Sequence, residues 1–168
     1  MTPEQEAYLR TQLKGRQVDD IGCGPCQRLK FLGDSIDYLG IDKEYFENTN
    51  TIQWNLSKPC PRLRHDTAFV AWPPNRRSIA WHLFLREYHE VFYLGVNHMG
   101  ICCGDPDLWK MLSRREVIHI IPSPHETLIH YGKNPRPAGA MTPQEEANGI
   151  GVWEGKEPAI YNESPYLE

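Results

Sequence analysis

The sequence predicts an α/β domain with a doubly wound, mostly parallel β-sheet. Short apolar runs alternate with segments of helical spacing, an order typical of parallel sheets with helices on both faces. A hydrophobic content of 40% in 168 residues is sufficient for one compact core. The last two runs are separated only by residues 122–126, which leaves no room for a helix, so we expect them to pair antiparallel.

Helix signals stand at the start of the chain. Thr2 offers a hydroxyl as N-cap, Pro3 suits the first helical position, and Gln5 stands three residues after the cap. These residues predict a capped helix that runs to about Lys14.

Seven apolar runs are predicted as strands, because each is short, rich in β-branched or aromatic residues and bounded by turn residues. They are residues 18–21, 38–41, 52–56, 67–71, 91–94, 117–121 and 127–131. Helices are predicted at residues 25–32 and 78–88 and from Asp105 onward. In the second of these, Trp81, Phe84, Leu85 and Tyr88 fall at helical spacings and predict a buried face. We expect one domain over residues 1–133, and an extension at 134–168 that packs on the surface or is loosely ordered.

The charge and the cysteines restrict the class of protein. A net charge of -4 gives no general attraction to nucleic acid, so binding to it would need a local basic patch. Five cysteines are an odd number, and no stretch resembles a signal peptide or a membrane span, which favours a cytoplasmic protein. Cys23 and Cys26 lack a second pair at ligand spacing, so we expect no metal.

A ligand-binding turn is predicted after the first strand. Asp20 ends the strand, Gly22 and Gly24 allow a tight turn, and Pro25 suits the start of a helix. Free N–H groups at such a helix start bind polar or anionic groups. A dinucleotide fingerprint would have a third glycine at position 27, which is Gln27 here, so a nucleotide-like ligand other than NAD or FAD is favoured.

Asp42 is the second candidate ligand-binding residue. It ends the next strand, about 20 residues after the first motif, where a carboxylate commonly accepts hydrogen bonds from ribose hydroxyls. Alone, Asp42 would be an ordinary solvated acid, but its spacing from Gly22 and Gly24 favours ligand binding.

Residues 20–25, Asp-Ile-Gly-Cys-Gly-Pro, resemble the first motif of class I, Rossmann-like S-adenosylmethionine-dependent methyltransferases. Cys26 stands where that family most often has another glycine. The resemblance implies a seven-stranded sheet, S-adenosylmethionine as cofactor, and Asn55 and Leu56 beside the adenine. The full set that it places around the cofactor is Asp20, Gly22, Cys23, Gly24, Asp42, Lys43, Asn55 and Leu56.

The acceptor side is predicted after the fourth strand. Trp72-Pro73-Pro74-Asn75 is similar to the Asn/Asp/Ser-Pro-Pro-aromatic motif of amino-group nucleobase methyltransferases, with Trp72 and Asn75 replacing its polar and aromatic ends. Trp72 is either a core aromatic residue or a wall of the acceptor pocket. His98 follows the fifth strand and is either a surface residue or a general base. The candidate catalytic residues are Trp72, Pro73, Asn75 and His98.

Three functions are compatible with these motifs. The first is methyl transfer from S-adenosylmethionine to a small-molecule or protein acceptor. The second is methylation of a nucleobase amine in DNA or RNA through the 72–75 loop. The third is a non-catalytic module that binds S-adenosylmethionine, which the missing polar residue at Trp72 would allow. The first function is favoured, because no target-recognition domain is evident in the sequence.

Overall fold

A computed structural model describes residues 1–25, 28–44, 46, 50–55, 58, 66–73, 81–95 and 106–137. Its centre is a seven-stranded sheet in the order β3-β2-β1-β4-β5-β7-β6. The strands are β1 Gln17–Ile21, β2 Asp37–Asp42, β3 Thr51–Gln53, β4 Thr67–Ala71, β5 Glu90–Gly95, β6 Arg115–Ile121 and β7 Thr127–Pro135. The pairs among β1 to β5 are parallel, whereas β7 runs antiparallel to both β5 and β6. The predicted fold class is confirmed.

Helices cover both faces of the sheet. On one face, α1 (Pro3–Leu13) contributes Leu9 and Leu13 to a core that also contains Phe69 and Phe92 of the sheet. On the other face, α2 (Trp81–Leu85) and α3 (Pro106–Leu112) pack against a second core. The sheet is therefore buried on both sides, which explains why its strands read as continuous apolar runs.

The capped start of α1 is confirmed. The Gln5 backbone N–H donates to Thr2 Oγ1 at 3.3 Å, and the Gln5 side chain accepts from the Thr2 N–H at 2.9 Å. The same buried side chain donates through Nε2 to the carbonyls of Ile121, at 3.0 Å, and Glu126, at 3.2 Å. Gln5 therefore ties the start of α1 to the turn between β6 and β7.

The predictions on either side of β2 differ from the structure. The helix predicted at 25–32 is wrong, because the described residues form turns there, followed by a 3₁₀ segment at Lys30–Ser35. Buried Leu29 and Leu32 are three residues apart, which matches the 3₁₀ period, and Gly33 has a φ of 50°, which interrupts helical geometry. The third strand ends at Gln53 instead of residue 56, because its partner β2 ends at Asp42, opposite Gln53.

The predicted burial of Trp81, Phe84, Leu85 and Tyr88 is confirmed, since each of these residues is at most 1% exposed, but the helix ends at Leu85 and Tyr88 follows it. Residues 78–80, the predicted start of this helix, lie outside the described residues. In the part of the chain that the structure describes, no helix is long and apolar enough to cross a membrane.

Arg115, at the start of β6, is a buried cation that connects several elements. Its guanidinium donates to the carbonyls of Leu85 at 3.0 Å, Tyr88 at 2.7 Å and Gly132 at 3.2 Å, with further bonds to Arg86 and His89. Burial lowers the pKa of Arg115, but its ordinary value is so high that the side chain remains charged. Arg115 therefore joins the end of α2 to β5 and β7.

We expect Arg115→Met to lower the free energy of unfolding by roughly 3 kcal/mol, because several carbonyls lose a charged donor. Arg114→Met is the matched control: Arg114 is exposed, so its replacement should change stability by less than about 0.5 kcal/mol. Urea unfolding of the three proteins at one pH measures the difference. Equal stability of the two variants would contradict a structural role for Arg115.

Candidate functional site

The candidate site lies at the carboxyl edge of the parallel strands. β1 pairs with β2 on one side and with β4 on the other, so the chain order changes direction at β1. Open α/β sheets bind ligands in the crevice at such a switch point. Ile21 stands opposite Ile41 in the β1–β2 register, which brings the turn after β1 next to Asp42.

The glycine turn has the backbone conformation that its sequence predicts. Gly22 has a φ of 70° and Gly24 a φ of 56°, both in the left-handed region that favours glycine. A Cβ at Gly22 would lie 2.6 Å from the ring of Trp81, so the approach of this ring also requires glycine. A Cβ at Gly24 would meet no atom of the described residues within 4 Å, so these residues leave space beside Gly24. That space is where a ligand can approach the backbone.

Asp42 contacts the glycine turn directly. The Gly24 backbone N–H donates to Asp42 Oδ2 at 2.9 Å, and the Glu44 N–H donates to Oδ1 at 3.1 Å. Because an ionised carboxylate accepts about four hydrogen bonds, Asp42 retains acceptor sites for ligand hydroxyls. The two predicted motifs therefore meet in space.

Asp20 lies beneath this turn, with only 2% of its surface exposed. Burial raises the pKa of Asp20 to about 7, nearby Asp42 adds to the rise, and the Tyr38 hydroxyl opposes it. That hydroxyl donates to Asp20 Oδ2 at 3.0 Å. Asp20 is therefore a carboxyl that titrates near neutral pH inside the sheet, and a direct contact of Asp20 with a ligand remains a prediction.

The other predicted cofactor residues are spread along the same edge. Cys23 is half-buried, and its Sγ lies 2.7 Å from the position of a Cβ at Gly40, so the thiol packs over β2. Lys43 is exposed and pairs with Glu44 at 3.6 Å, and Asn55 is exposed after β3. Leu56 lies outside the described residues. The site roles of these residues are not tested by their positions and stay predictions.

Trp54 is a candidate that the sequence analysis missed. Its backbone N–H donates to the Asp42 carbonyl at 2.7 Å, and its ring is partly buried against the core. An aromatic ring beside the ribose-type acid is a suitable surface for a nucleobase. The available signal was an aromatic residue inside the third apolar run, residues 52–56.

Trp72 has an unusual backbone. Its φ of 51° is the only positive value among the described residues other than glycine. A bulky residue in this region is strained and persists only where its surroundings determine it strongly. Here the Trp72 backbone N–H donates to the Leu94 carbonyl at 2.7 Å, and the indole Nε1 donates to Glu126 Oε2 at 2.8 Å.

Glu126 is the second residue that sequence reasoning missed. It precedes β7, and because Thr127 pairs with Gly95, it lies at the edge where β5 ends. Its carboxylate also contacts the Met1 amino group at 2.5 Å and Arg28 at 3.7 Å. Burial acts to raise the pKa of Glu126, but hydrogen bonds from Met1 and Trp72 outweigh it, so the pKa lies below its ordinary value.

Only part of the predicted acceptor side is described. Trp72 is half-buried and Pro73 is buried at the end of β4. Asn75 and His98 lie outside the described residues. The structure therefore brings Trp72 together with Glu126 at the carboxyl edge. In the sequence, the only signal for Glu126 was its place in the short connection between the last two strands.

Comparison with known proteins identifies the fold. No family model and no curated protein matches the chain. The structure is similar to 1,6-didemethyltoxoflavin-N1-methyltransferase of Burkholderia thailandensis, with a TM-score of 0.56, 12% identity, and coverage of 79% of this chain and 77% of that chain.

Two further solved structures are similar. One is a SAM-dependent methyltransferase from Aquifex aeolicus, with a TM-score of 0.53 and 15% identity over 77% of this chain and 88% of that chain. The other is a putative RNA methyltransferase from Pyrococcus horikoshii, with a TM-score of 0.55 and 13% identity over 78% of this chain and 83% of that chain. The chain therefore has the Rossmann-like fold of class I methyltransferases, which confirms the expectation from residues 20–25.

A pH dependence of stability follows from the raised pKa of Asp20. Between about pH 4 and 7 the folded protein keeps a proton on Asp20 that the unfolded chain releases, so stability falls as pH rises through this range. Asp20 should cost the wild-type protein up to about 1.4 kcal/mol of unfolding free energy per pH unit in this range. The Asp20→Asn variant, which has no carboxyl to titrate, should not show this loss. Tyr38→Phe removes the hydrogen bond that lowers the pKa of Asp20, so the loss of stability should continue to a higher pH than in the wild type.

Urea unfolding at several pH values between 4 and 8 measures both effects. If the difference in stability between wild type and Asp20→Asn stays constant over this range, Asp20 does not titrate as described.

Proposed function

We propose that the protein transfers a methyl group from S-adenosylmethionine to a small-molecule or protein acceptor in the cytoplasm. The observation that carries the proposal is the 2.9 Å hydrogen bond between the Gly24 N–H and Asp42, at the switch point of a class I methyltransferase sheet. Solved structures of similar fold support the choice of cofactor, since one contains S-adenosylhomocysteine and another contains SAM.

The proposed cofactor site uses the carboxyl ends of β1, β2 and β3. Asp42 would accept hydrogen bonds from the ribose, Gly24 leaves room for the methionine part, and Trp54 would lie beside the adenine. When bound, S-adenosylmethionine supplies an electrophilic methyl group whose leaving group is a neutral thioether. The chain's own residues then have to align the acceptor and receive its proton.

The acceptor pocket is proposed at the ends of β4 and β5. Trp72 would form a wall of this pocket, and buried Glu126 would hold its indole in place through the 2.8 Å hydrogen bond. Glu126 is thus a positioning residue, which acts on the acceptor through Trp72. Pro73, Asn75 and His98 remain candidates for contact with the acceptor, with His98 as general base.

Nucleobase methylation is the less favoured alternative, although one protein of similar fold is described as a putative RNA methyltransferase. In the motif of the nucleobase methyltransferases, the first residue is polar and orients the target amine. Trp72 stands at that position in this chain. Trp72 has a single side-chain donor, and Glu126 already accepts from it. This contact favours a small-molecule or protein acceptor. Formation of S-adenosylhomocysteine with candidate acceptors distinguishes an enzyme from a non-catalytic binding module.

We expect S-adenosylmethionine to bind with a Kd in the micromolar range, and Gly24→Ala to weaken this binding about tenfold or more, because its methyl group enters the space assigned to the ligand. Gly15→Ala is the matched control: Gly15 also has a positive φ, 73°, and open space at its Cβ, but it precedes β1 at the opposite edge. Both variants carry similar backbone strain, so only the first should lose affinity.

Asp42→Ala should weaken cofactor binding by roughly 1–3 kcal/mol, and Asp42→Asn by less, since the amide oxygen can still accept from the Gly24 N–H. Calorimetry on these variants gives the affinities. Unchanged binding in folded Gly24→Ala and Asp42→Ala proteins would place the cofactor elsewhere.

Trp72→Ala should lower turnover about tenfold or more and leave cofactor affinity nearly unchanged, because Trp72 is proposed to contact the acceptor side only. Trp72→Phe keeps a ring but removes the donor to Glu126, so we expect a smaller loss. Trp109→Ala is the control for stability, since Trp109 is a core residue of α3 packed on Tyr93. We expect the control to lose activity only in proportion to the fraction of unfolded protein. If Trp72→Ala behaves in the same way, Trp72 contributes to the core and not to the acceptor site.

A further inference from the structure

A basic groove lies between α2 and α3, away from the candidate cofactor site. It has a volume of about 680 Å³, and the described residues that line it include five cationic side chains and two acidic ones, Glu87 and Asp107. The cationic residues are Arg86, Lys110, Arg114, Arg115 and Lys133. The groove therefore has a positive charge although the whole chain has a net charge of -4.

The groove opens at the amino edge of the sheet. It includes His89, which precedes β5, and Arg115, which begins β6. Since β5 spans the six residues Glu90–Gly95, the glycine-turn edge is roughly 17 Å or more away. A small ligand in the groove would therefore not reach the proposed acceptor pocket.

The cationic side chains of the groove differ in whether other groups of the protein already pair with them. The guanidinium of Arg115 is occupied by backbone carbonyls, and Arg86 pairs with Glu87 at 2.9 Å. Lys110 and Arg114 are exposed and have no acidic partner among the described residues, and Lys133 is exposed with its Nζ 3.2 Å from His89 Nε2. Lys110, Arg114 and Lys133 are therefore the groove cations available to an anionic ligand.

The sequence after the described residues has the opposite charge. Residues 138–168 contain six glutamates and one lysine, a formal charge of -5, which leaves a formal charge of +1 on residues 1–137. The acidic character of the whole chain thus comes from this C-terminal segment. Opposite charges on a groove and on a tethered segment attract each other, and the attraction is screened by salt.

The chain enters this segment at the rim of the groove. The Arg136 backbone N–H donates to the Arg114 carbonyl at 2.8 Å, and Arg136 Nε donates to the Arg115 carbonyl at 2.8 Å. Glu145 is nine residues further along, a distance of up to roughly 30 Å in an extended chain. The glutamates of the segment can therefore reach every cation of the groove.

We propose that the basic groove binds the acidic C-terminal segment, residues 138–168, of the same chain. Each exposed ion pair is weak alone, but tethering gives the segment a high effective concentration at the groove. A segment bound there pairs with the exposed cations of the groove and competes with other polyanions for them. The proposal depends on charge and connectivity and is independent of the proposed methyl transfer.

Zero-length carbodiimide cross-linking of the full chain at low ionic strength tests the proposal. Cross-links from the glutamates at 145–168 to Lys110 and Lys133 should be about tenfold more frequent than those to Lys14 and Lys30, which are exposed outside the groove. They should decrease strongly at about 0.5 M salt, where screening is nearly complete. A mixture of ¹⁴N- and ¹⁵N-labelled protein distinguishes links within one chain from links between chains.

Lys110→Gln/Arg114→Gln should reduce the cross-links to Lys133 severalfold, whereas the matched control Lys14→Gln/Lys30→Gln should leave them unchanged. A fluorescent single-stranded oligonucleotide should bind a Glu145→Gln/Glu146→Gln variant at least about fivefold more tightly than wild type. Equal cross-linking to all four lysines, links only between chains, or equal oligonucleotide affinity of wild type and variant would overturn the proposal.

Discussion

The parallel pairing of β1 with β2, in which Ile21 stands opposite Ile41, is the constraint on which the candidate site depends. This register brings the turn after β1 to the height of Asp42, so that the Gly24 N–H reaches the carboxylate. The turn needs left-handed backbone at Gly22, and the ring of Trp81 on the same face excludes any side chain there. The sheet order, the glycines and the acid thus form one geometric unit.

Glu126 links three parts of the chain that are distant in sequence. Its carbonyl accepts from Gln5 at the start of α1, its carboxylate accepts from the Trp72 indole, and its position is set by the pairing of β7 with β5. A buried carboxylate is costly unless it is paired, and here several donors offset that cost. The hydrogen bond to Glu126 also fixes the indole of Trp72, a residue with a strained backbone, at the edge where the acceptor is proposed to bind.

The two edges of the sheet differ in electrostatics. At the carboxyl edge, Asp20 and Asp42 are buried close together, and desolvation keeps Asp20 partly protonated near neutral pH. At the amino edge, Arg115 satisfies backbone carbonyls at the end of α2, and exposed cations surround it. One edge therefore suits hydroxyl and amine groups of a ligand, and the other suits anions. The two proposed binding surfaces therefore lie at opposite edges of the sheet.

The sequence by itself determined the fold class, the capped α1 helix, the buried face of α2 and the glycine turn with its acid, because these depend on local spacing and on apolar periodicity. The helix predicted at 25–32 was wrong, since i, i+3 apolar spacing also suits a 3₁₀ segment, and only packing around Leu29 and Leu32 decided between them. Tertiary structure alone revealed Glu126, Trp54 and the basic groove. Glu126, Trp54 and the groove residues make their contacts with elements that are distant in the sequence, and only tertiary packing brings those elements together.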